Sequence, residues 1–225
     1  MKGFQRFLGP QVKAEHVYTD GSKEFKAALD DLGMSHDTST PYRPQTNGVA
    51  ERAVRRVKEG TSCTLSQSGW SDRWWVEAMN CYCFLRNAVD KLACGQTAYK
   101  KRFEKDFAGP IIPFGAEITY KPSRKRDIQR LHKFGEKVLS GIFIGYVQDA
   151  GGGWSGDLEV ADWEEIQDAG MPSEIHTKRF KAKEITVIKV AGKFRFPLAG
   201  GDLKQPGDDL PRKSRLRGKP ISHNM

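Results

Sequence analysis

The spacing of apolar residues changes near residue 109, and this change most constrains what the chain can fold into. Up to about residue 108, apolar side chains such as Phe25, Leu29 and Leu32 recur every three or four positions, as in amphipathic helices. From 109 to 190 they alternate with polar residues in short runs separated by glycine, which indicates β-strands. From 191 to 225 the chain is basic and of low complexity. We therefore predict three regions: 1–108 as α/β, 109–190 as a small β unit, and 191–225 as a disordered tail.

The first region reads as one strand followed by three helices. We predict a strand over 15–19 and a helix over 22–32 that stops at Gly33. Two prolines and an Asn-Gly pair indicate a loop over 38–48. A helix from Val49 and another over 72–87 follow. We predict an apolar stripe of Ala50, Ala53, Val54 and Val57 on the first helix, whose two valines point to the core. On the second, we predict that Trp75, Met79, Tyr82 and Leu85 or Arg86 share a face.

The second region contains several short strands joined by glycine-rich turns. The alternation predicts strands over 118–120, 141–147, 158–163 and 185–190. Short strands with such turns are typical of small closed β architectures, so we predict a barrel of the SH3 kind.

The charge of the chain indicates the class of its partner, and its cysteine content indicates its cellular environment. The 37 Lys and Arg residues exceed the 28 Asp and Glu residues and give a net charge of +9, which favours a polyanionic partner such as DNA. No apolar run is long enough to span a membrane, and the start lacks a secretory signal. The four cysteines are Cys63, Cys81, Cys83 and Cys94, and they fall on predicted helical segments without a CxxC pair. We therefore predict that they are reduced, buried thiols of an intracellular protein and that they form no zinc site.

Two carboxylates fall at the ends of predicted elements. Asp20 follows the first strand, and Glu51 lies near the start of the helix that begins at Val49. Carboxylate oxygens suit Mg²⁺, and paired metal ions can clamp the two oxygens of a phosphoryl displacement. A single carboxylate at a helix start is equally typical of a cap or of a helix-dipole partner, so spacing alone leaves both interpretations open.

Four cations follow Glu51 on the same helix. Arg55 and Lys58 lie four and seven residues after Glu51 and so share its face, while Arg52 and Arg56 flank that face. A row of cations beside a carboxylate could hold a phosphate backbone in register. The alternative is a set of solvated ion pairs that contribute a few tenths of a kcal/mol each.

The amino-acid sequence of these segments resembles the integrase core of copia-type LTR retrotransposons. The matching residues are TDGSKEF at 19–25, His36, and STPYRPQTNGVAER at 39–52. The resemblance implies a ribonuclease H-like core with Mg²⁺ or Mn²⁺, in which Asp20 and Glu51 are the second and third carboxylates of the D,D,E triad. It further implies DNA contacts by the loop residues Gln45 and Asn47 and by the helix residues Arg52, Arg55, Arg56 and Lys58.

The resemblance continues through about residue 190. Trp74–Ala78, Leu85–Asn87 and Thr97–Tyr99 are similar to the helical segments that follow the integrase core in that family. Phe114–Ala116 and Lys137–Tyr146 are similar to its SH3-like module. The fold class implied is a truncated ribonuclease H-like integrase core, then an SH3-like barrel, then a disordered basic tail.

Three departures from the family pattern affect the expected activity. The first catalytic Asp is expected tens of residues upstream, whereas Glu15 is the sole carboxylate among the 19 residues before Asp20. Asp20 and Glu51 are 31 residues apart, which is shorter than in the family, and Gly21 replaces a frequent Asn. We therefore expect a truncated remnant, or a fragment of a longer polyprotein, that does not perform strand transfer alone.

Three functions follow from these observations. The first is an integrase-derived chain whose parent reaction joins DNA by metal-dependent phosphodiester transesterification. The second is a non-catalytic nucleic-acid-binding protein, and the third is an inert fragment with exposed sheet edges. We expect DNA as partner, no membrane association, possible homo-oligomers and a nuclear location.

Other features have two interpretations each. Seven cations between 121 and 137, against Asp127 and Glu136, could line DNA or form a solvated loop. The tail carries five cations between 212 and 219, which fit an import signal, a nucleic-acid patch or a plain linker. We expect core positions for Trp74, Trp75, Tyr82 and Phe84. We expect His36 to be a packed loop residue, and the sequence shows no partner for His16.

Overall fold

A computed structural model describes residues 14–19, 21–39 and 48–206. Residues 1–13, Asp20, the segment 40–47 and residues 207–225 lie outside these ranges. The predictions for the loop residues 40–47 and for the basic end of the tail therefore lie outside the described residues.

The N-terminal unit is a parallel strand–helix–strand. Strand β1 (His16–Thr19) pairs in parallel with β2 (Ser35–Thr38), and helix α1 (Lys23–Asp31) connects them. The Ser22 hydroxyl caps α1, and Gly33 adopts a φ of +61° where the helix has ended. The predicted strand over 15–19 and helix over 22–32 are confirmed. Strand β2 was not predicted, because its four polar residues carry no apolar alternation.

Two histidines take positions on these strands. The Nδ1 atom of His16 lies 3.2 Å from the Ser35 hydroxyl, and its Nε2 atom lies 3.3 Å from Asp37. His36, predicted in a loop, lies on β2 with its Nδ1 atom 4.0 Å from Asp30. Both histidines therefore make contacts within the strand–helix–strand unit.

Helix α2 (Gly48–Ser68) packs only through its second half. Of its predicted apolar stripe, Val54 is 53% exposed, Ala50 and Ala53 are exposed, and Val57 is half-buried. Burial begins at Thr61, so the prediction that Val54 points to the core is wrong. Among the described elements, none covers that apolar side.

Helix α3 (Trp75–Val89) follows a 3₁₀ turn (Asp72–Trp74), and α4 (Ala98–Phe103) comes next. The buried face of α3 carries Ala78, Cys81, Phe84 and Ala88 rather than the predicted face. Of the four aromatic residues predicted in the core, Trp74 and Phe84 are buried, Tyr82 is half-buried, and Trp75 is 53% exposed. The apolar residues of this helix lie on more than one of its sides, so periodicity alone did not identify the face that packs on the core.

The second region is a five-stranded antiparallel sheet with the strand order β6-β5-β4-β3-β7. The strands are β3 (Glu117–Tyr120), β4 (Leu139–Gln148), β5 (Trp154–Asp162), β6 (Thr177–Lys181) and β7 (Ile185–Val187). Short helices α5 (Lys125–Gln129) and α6 (Trp163–Asp168) lie in the connections. The predicted strands over 118–120, 141–147 and 158–163 are confirmed within a few residues, and β6 was missed.

The sheet is open but strongly curled. Its two edge strands, β6 and β7, are separated in sequence only by the 3₁₀ turn Ala182–Glu184, so the edges approach each other at that corner. No backbone ladder joins these edges in the described part of the chain. The predicted closed SH3-like barrel is therefore not confirmed, whereas an antiparallel sheet combined with helices is.

One hydrophobic core joins the helices to the sheet. Phe84 of α3 stacks on Tyr146 of β4 with ring centroids 4.5 Å apart, and Trp74 lies 4.4 Å from Trp70. Phe143, Leu158 and further buried apolar residues continue the core across the sheet. Helices that precede residue 109 thus share a core with strands that follow it.

Residues 191–206 are folded, which corrects the predicted start of the disordered tail. Strands β8 (Lys189–Val190) and β9 (Lys193–Phe194) form a hairpin, and α7 (Pro197–Gly200) follows. The side chain of Gln205 accepts from Ser71 N at 3.1 Å and donates to Gly69 O at 2.9 Å. This segment is therefore attached to the end of α2.

The cysteines differ in burial. Cys81 is buried and Cys83 half-buried, whereas Cys63 and Cys94 are exposed, and Cys94 lies in a turn rather than a helix. The prediction of four buried thiols on helices is therefore wrong for two of them. Within the described ranges, no helix has the length and apolar content needed to cross a membrane.

Candidate functional site

The first half of α2 presents the predicted basic face. The helix is continuous from Gly48 to Ser68, so Glu51, Arg55 and Lys58 lie along one face, as their spacing predicted. Arg52 and Arg56 flank this face, and all five side chains are exposed. We call these five residues the α2 basic face.

The cations of the α2 basic face differ from those elsewhere in the described part of the chain that pair with carboxylates. No ion pair links any of the four to another described residue. Some cations of the sheet region are paired instead: Arg195 lies 3.0 Å from Glu117, and Arg179 lies 3.2 Å from Glu159. The α2 basic face therefore carries positive charge that is available to a polyanion.

The described residues do not fit a divalent metal centre. Glu51 is exposed, and within the described ranges no three carboxylate, histidine or cysteine side chains come together as a metal-binding group. One carboxylate is too few to fix Mg²⁺ or Mn²⁺ in a defined geometry. Asp20, Gln45 and Asn47 lie outside the described residues, so their convergence with Glu51 stays a prediction.

A second cluster of charged residues, most of them buried, connects the loop between β3 and β4 to the sheet. The Lys178 ammonium lies 3.2 Å from Asp127 Oδ2 and 2.9 Å from Glu165 Oε1, and the Lys178 and Asp127 side chains are about 95% buried. The Arg130 guanidinium lies 3.0 Å from Asp162 and 2.8 Å from Glu164. We call these residues, with Tyr120, the buried ion network.

Asp162 is the centre of this network. Its carboxylate accepts a hydrogen bond from the Tyr120 hydroxyl, and its Oδ1 atom caps α6 by accepting from Glu164 N and Glu165 N at 3.0 and 3.1 Å. Burial alone would raise the pKa of Asp162, but the hydrogen bonds from Arg130 and Tyr120 hold that pKa below its usual value. Asp162 is therefore a buried, ionised carboxylate.

The pKa values of the two donors to Asp162, Tyr120 and Arg130, are raised, whereas that of Asp162 is lowered. Burial, followed by the hydrogen bond to Asp162, raises the pKa of Tyr120. Burial would lower the pKa of Arg130, but hydrogen bonds to Asp162 and Glu164 raise it. Tyr120 therefore stays protonated and Arg130 charged, and the network is structural rather than poised for proton transfer.

The seven cations between 121 and 137 fall into three groups. Arg130 is bound within the network and cannot contact DNA freely. Lys137 donates to backbone carbonyl groups. The other five are exposed and form no ion pair with a described residue: Lys121, Arg124, Lys125, Arg126 and Lys133.

The sequence patterns did not predict the buried ion network. The Asp-Trp-Glu-Glu run at 162–165 is a helix-cap signal that places Asp162 at a strand end. Lys178 gave no such signal, because Thr177–Lys181 reads as a polar segment although Lys178 and Phe180 are both buried.

Comparisons with known proteins point to one group of mobile elements. No family model matches the chain. The chain is similar to the retrovirus-related Pol polyprotein from transposon TNT 1-94 of Nicotiana tabacum, at 35% identity over 143 residues, or 56% of this chain and 9% of the relative. It is also similar to that from transposon RE2 of Arabidopsis thaliana, at 29% identity over 146 residues, or 60% of this chain and 9% of the relative. The chain thus spans about a tenth of the length of these curated relatives.

One solved structure with partial similarity is the cryo-EM structure of the simian T-cell lymphotropic virus intasome in complex with the PP2A regulatory subunit B56 gamma. The identity is 17%, and the match covers 79% of this chain and 59% of that chain. The TM-score of 0.32 is below the range of a shared fold.

Proposed function

Because the chain is a homologue of copia-type retrotransposon Pol polyproteins, as the motifs around Asp20 and Glu51 predicted, we propose that it is an integrase-related protein that binds DNA. The single observation that carries the binding proposal is the α2 basic face: four exposed cations on one helix, without an ion-pair partner among the described residues. The same helix contains the residues that resemble the DNA-gripping positions of the family.

Two features support a finer assignment of the fold. The parallel β1–α1–β2 unit is compatible with part of a ribonuclease H-like sheet. The curled sheet, in which the last strand β7 returns to pair with the first strand β3, is compatible with an SH3-like module. We propose these two modules as the origin of the two regions.

We propose that the chain binds DNA without performing strand transfer. The family reaction needs metal-bound carboxylates, and the described residues supply Glu51 alone at the predicted site. We therefore derive no metal-dependent step for this chain. Asp20 as a partner of Glu51, DNA contacts of Gln45 and Asn47, self-association and a nuclear location stay predictions.

Charge substitutions on α2 test the binding proposal. The full chain is titrated against a fluorescein-labelled DNA duplex by anisotropy at several salt concentrations. Each lost phosphate contact reduces the slope of log K against log salt by about 0.9. Replacing both Arg55 and Lys58 by Gln should therefore reduce the slope by about 1.8 and weaken binding at low salt.

A matched double variant controls for net charge. Lys101 and Lys105 are exposed cations around α4, and replacing both by Gln removes the same charge as the α2 variant. The control should keep the wild-type slope. Equal effects of the two double variants would show that net charge alone drives binding, and this result would reject the α2 basic face as the site.

Catalysis and inertness are tested with the same protein. We expect no joined product when the chain is incubated with a labelled DNA end and Mg²⁺ or Mn²⁺, and we expect Glu51→Ala to keep DNA affinity. A product that disappears in Glu51→Ala would overturn the non-catalytic proposal. A melting temperature that DNA does not raise, together with no anisotropy change, would instead favour the inert fragment.

A further inference from the structure

The loop between β3 and β4 (121–138) carries an exposed aromatic ring. Phe134 is 87% exposed, the highest value among the exposed large apolar residues that the structure describes. A single exposed apolar residue is common on protein surfaces and by itself indicates no function. The structure around Phe134 is what distinguishes it.

Hydrogen bonds hold the tip of the loop in one shape. Phe134 N donates to His132 Nδ1 at 3.3 Å, and the two rings lie 6.4 Å apart. The Lys137 ammonium donates to the carbonyl oxygens of His132 and Lys133, both at 2.9 Å. The Phe134 ring is therefore presented to solvent by a preorganised turn.

The buried ion network attaches this loop to the sheet. Within the loop, Asp127 lies 3.2 Å from Lys178 of β6, and Arg130 lies 3.0 Å from Asp162 at the end of β5. Because these contacts are buried, the loop has a fixed position on the sheet. Rigid attachment lowers the entropy cost of binding a ligand through the loop.

The surface of the loop is strongly basic. Asp127 is buried against Lys178, so Glu136 is the exposed carboxylate of the loop. The exposed cations without an ion pair to a described residue are Lys121, Arg124, Lys125, Arg126 and Lys133. An exposed aromatic ring on the same loop as these cations fits a partner that offers both flat bases and phosphates.

We propose that the β3–β4 loop binds single-stranded nucleic acid, with Phe134 stacked on an unpaired base and the loop cations on the neighbouring phosphates. A base in a duplex hides its faces in the stack, so a ring at a loop tip selects unpaired nucleotides. The inference deepens the proposed DNA binding and rests on it. It adds a second contact surface and a substrate class.

Binding of matched oligonucleotides tests the proposal. The full chain is titrated by anisotropy against a labelled thymidine 15-mer and a duplex of the same length. Since stacking contributes about 1–3 kcal/mol per base and about 1.4 kcal/mol is a tenfold change, Phe134→Leu should weaken single-strand binding by about 5- to 150-fold. Duplex affinity should stay within about twofold, and Phe134→Trp should keep single-strand affinity.

The salt dependence separates the ring from the charges. Phe134→Leu should leave the slope of log K against log salt unchanged, whereas Lys133→Gln should reduce the single-strand slope by about 0.7. Ile128→Ala, at another exposed apolar position of the loop, should bind like the wild type. Phe134 is exposed, so its variants should fold, and thermal melting checks this.

Two results would overturn the inference while leaving the proposed function intact: wild-type single-strand affinity in Phe134→Leu, or an equal loss on single strand and duplex. A wild-type chain that binds neither nucleic acid would reject both. Single-strand binding that is lost in the Arg55 and Lys58 double variant but not in Phe134→Leu would assign the binding to α2 alone.

Discussion

The charge on Asp162 should be essential to the stability of the sheet region. The perturbation that isolates this charge is Asp162→Asn, because Asn keeps a side-chain oxygen that can cap α6 while the negative charge is lost. Arg130 and Lys178 would then face a neutral group in a buried position, at the places where they now lie 3.0 and 3.8 Å from the carboxylate.

The size of the stability loss in Asp162→Asn depends on which carboxylates still pair with Arg130 and Lys178. Removing one member of a buried ion pair costs about 3–5 kcal/mol. Arg130 keeps Glu164, and Lys178 keeps Asp127, so the lower end, about 3 kcal/mol, applies here. At about 2–4 °C per kcal/mol for a chain of this size, the melting temperature should fall by about 6–12 °C.

A matched substitution on the same strand serves as the control. Asp157 of β5 pairs with Lys181, whose side chain is 57% exposed, so Asp157→Asn should cost at most about 1 kcal/mol. Both variants are compared with the wild type by thermal and urea unfolding, followed by tryptophan fluorescence. Equal losses in the two variants would refute the assignment of Asp162 as a buried charge.

The pH dependence of stability tests independently whether the charged form of Asp162 stabilises the fold. The folded-state pKa of Asp162 is lowered, so the stabilisation by its charge is complete above the unfolded-state pKa of about 3.9. It is lost as the pH falls through the folded-state pKa. The stability difference between wild type and Asp162→Asn should therefore be constant from pH 7 to 5 and shrink below pH 4. A difference that grows in acid would contradict this reasoning.

Two further predictions concern the helices. A Cβ atom at Gly60 would lie 2.0 Å from the Tyr82 ring, so Gly60→Ala should cost about 1–3 kcal/mol in chemical unfolding. In a Tyr82→Ala background the clash is absent, and the same change should stabilise by up to about 1 kcal/mol through helix propensity. A cost unchanged in that background would disprove the contact. The control is Gly48→Ala, whose added Cβ would meet no atom of the described residues within 4 Å. Burial raises the pKa of the Cys81 thiol, so at pH 8 a disulfide reagent should modify Cys63 in the native chain and Cys81 only after denaturation; rapid native labelling of Cys81 would contradict its burial.

Local patterns in the sequence predicted the elements well, and long-range pairing was where they failed. Short apolar runs located β3, β4 and β5, and the stop residue Gly33 marked the end of α1. Strand β6 was missed because Lys178 is buried by its pairing with Asp127, which lies 51 residues away in the sequence. No local pattern indicates a charge whose partner is that distant.

The candidate site shows the same division. Helical spacing correctly placed Glu51, Arg55 and Lys58 on one face. It also predicted that Val54 faces a core, whereas the structure leaves this side chain 53% exposed. Periodicity shows which side of a helix is apolar, but burial depends on whether another element covers that side.

The placement of ion pairs in this molecule has a consequence for how it would release a polyanion. Mobile ions weaken attractions between charges in water far more than those between charges in a dry interior. The contacts of Lys178 and Asp127 lie in the interior, whereas Lys133 and Arg124 are in water. Rising ionic strength would therefore detach the proposed nucleic-acid strand, while the buried contacts would keep the β3–β4 loop in the same conformation.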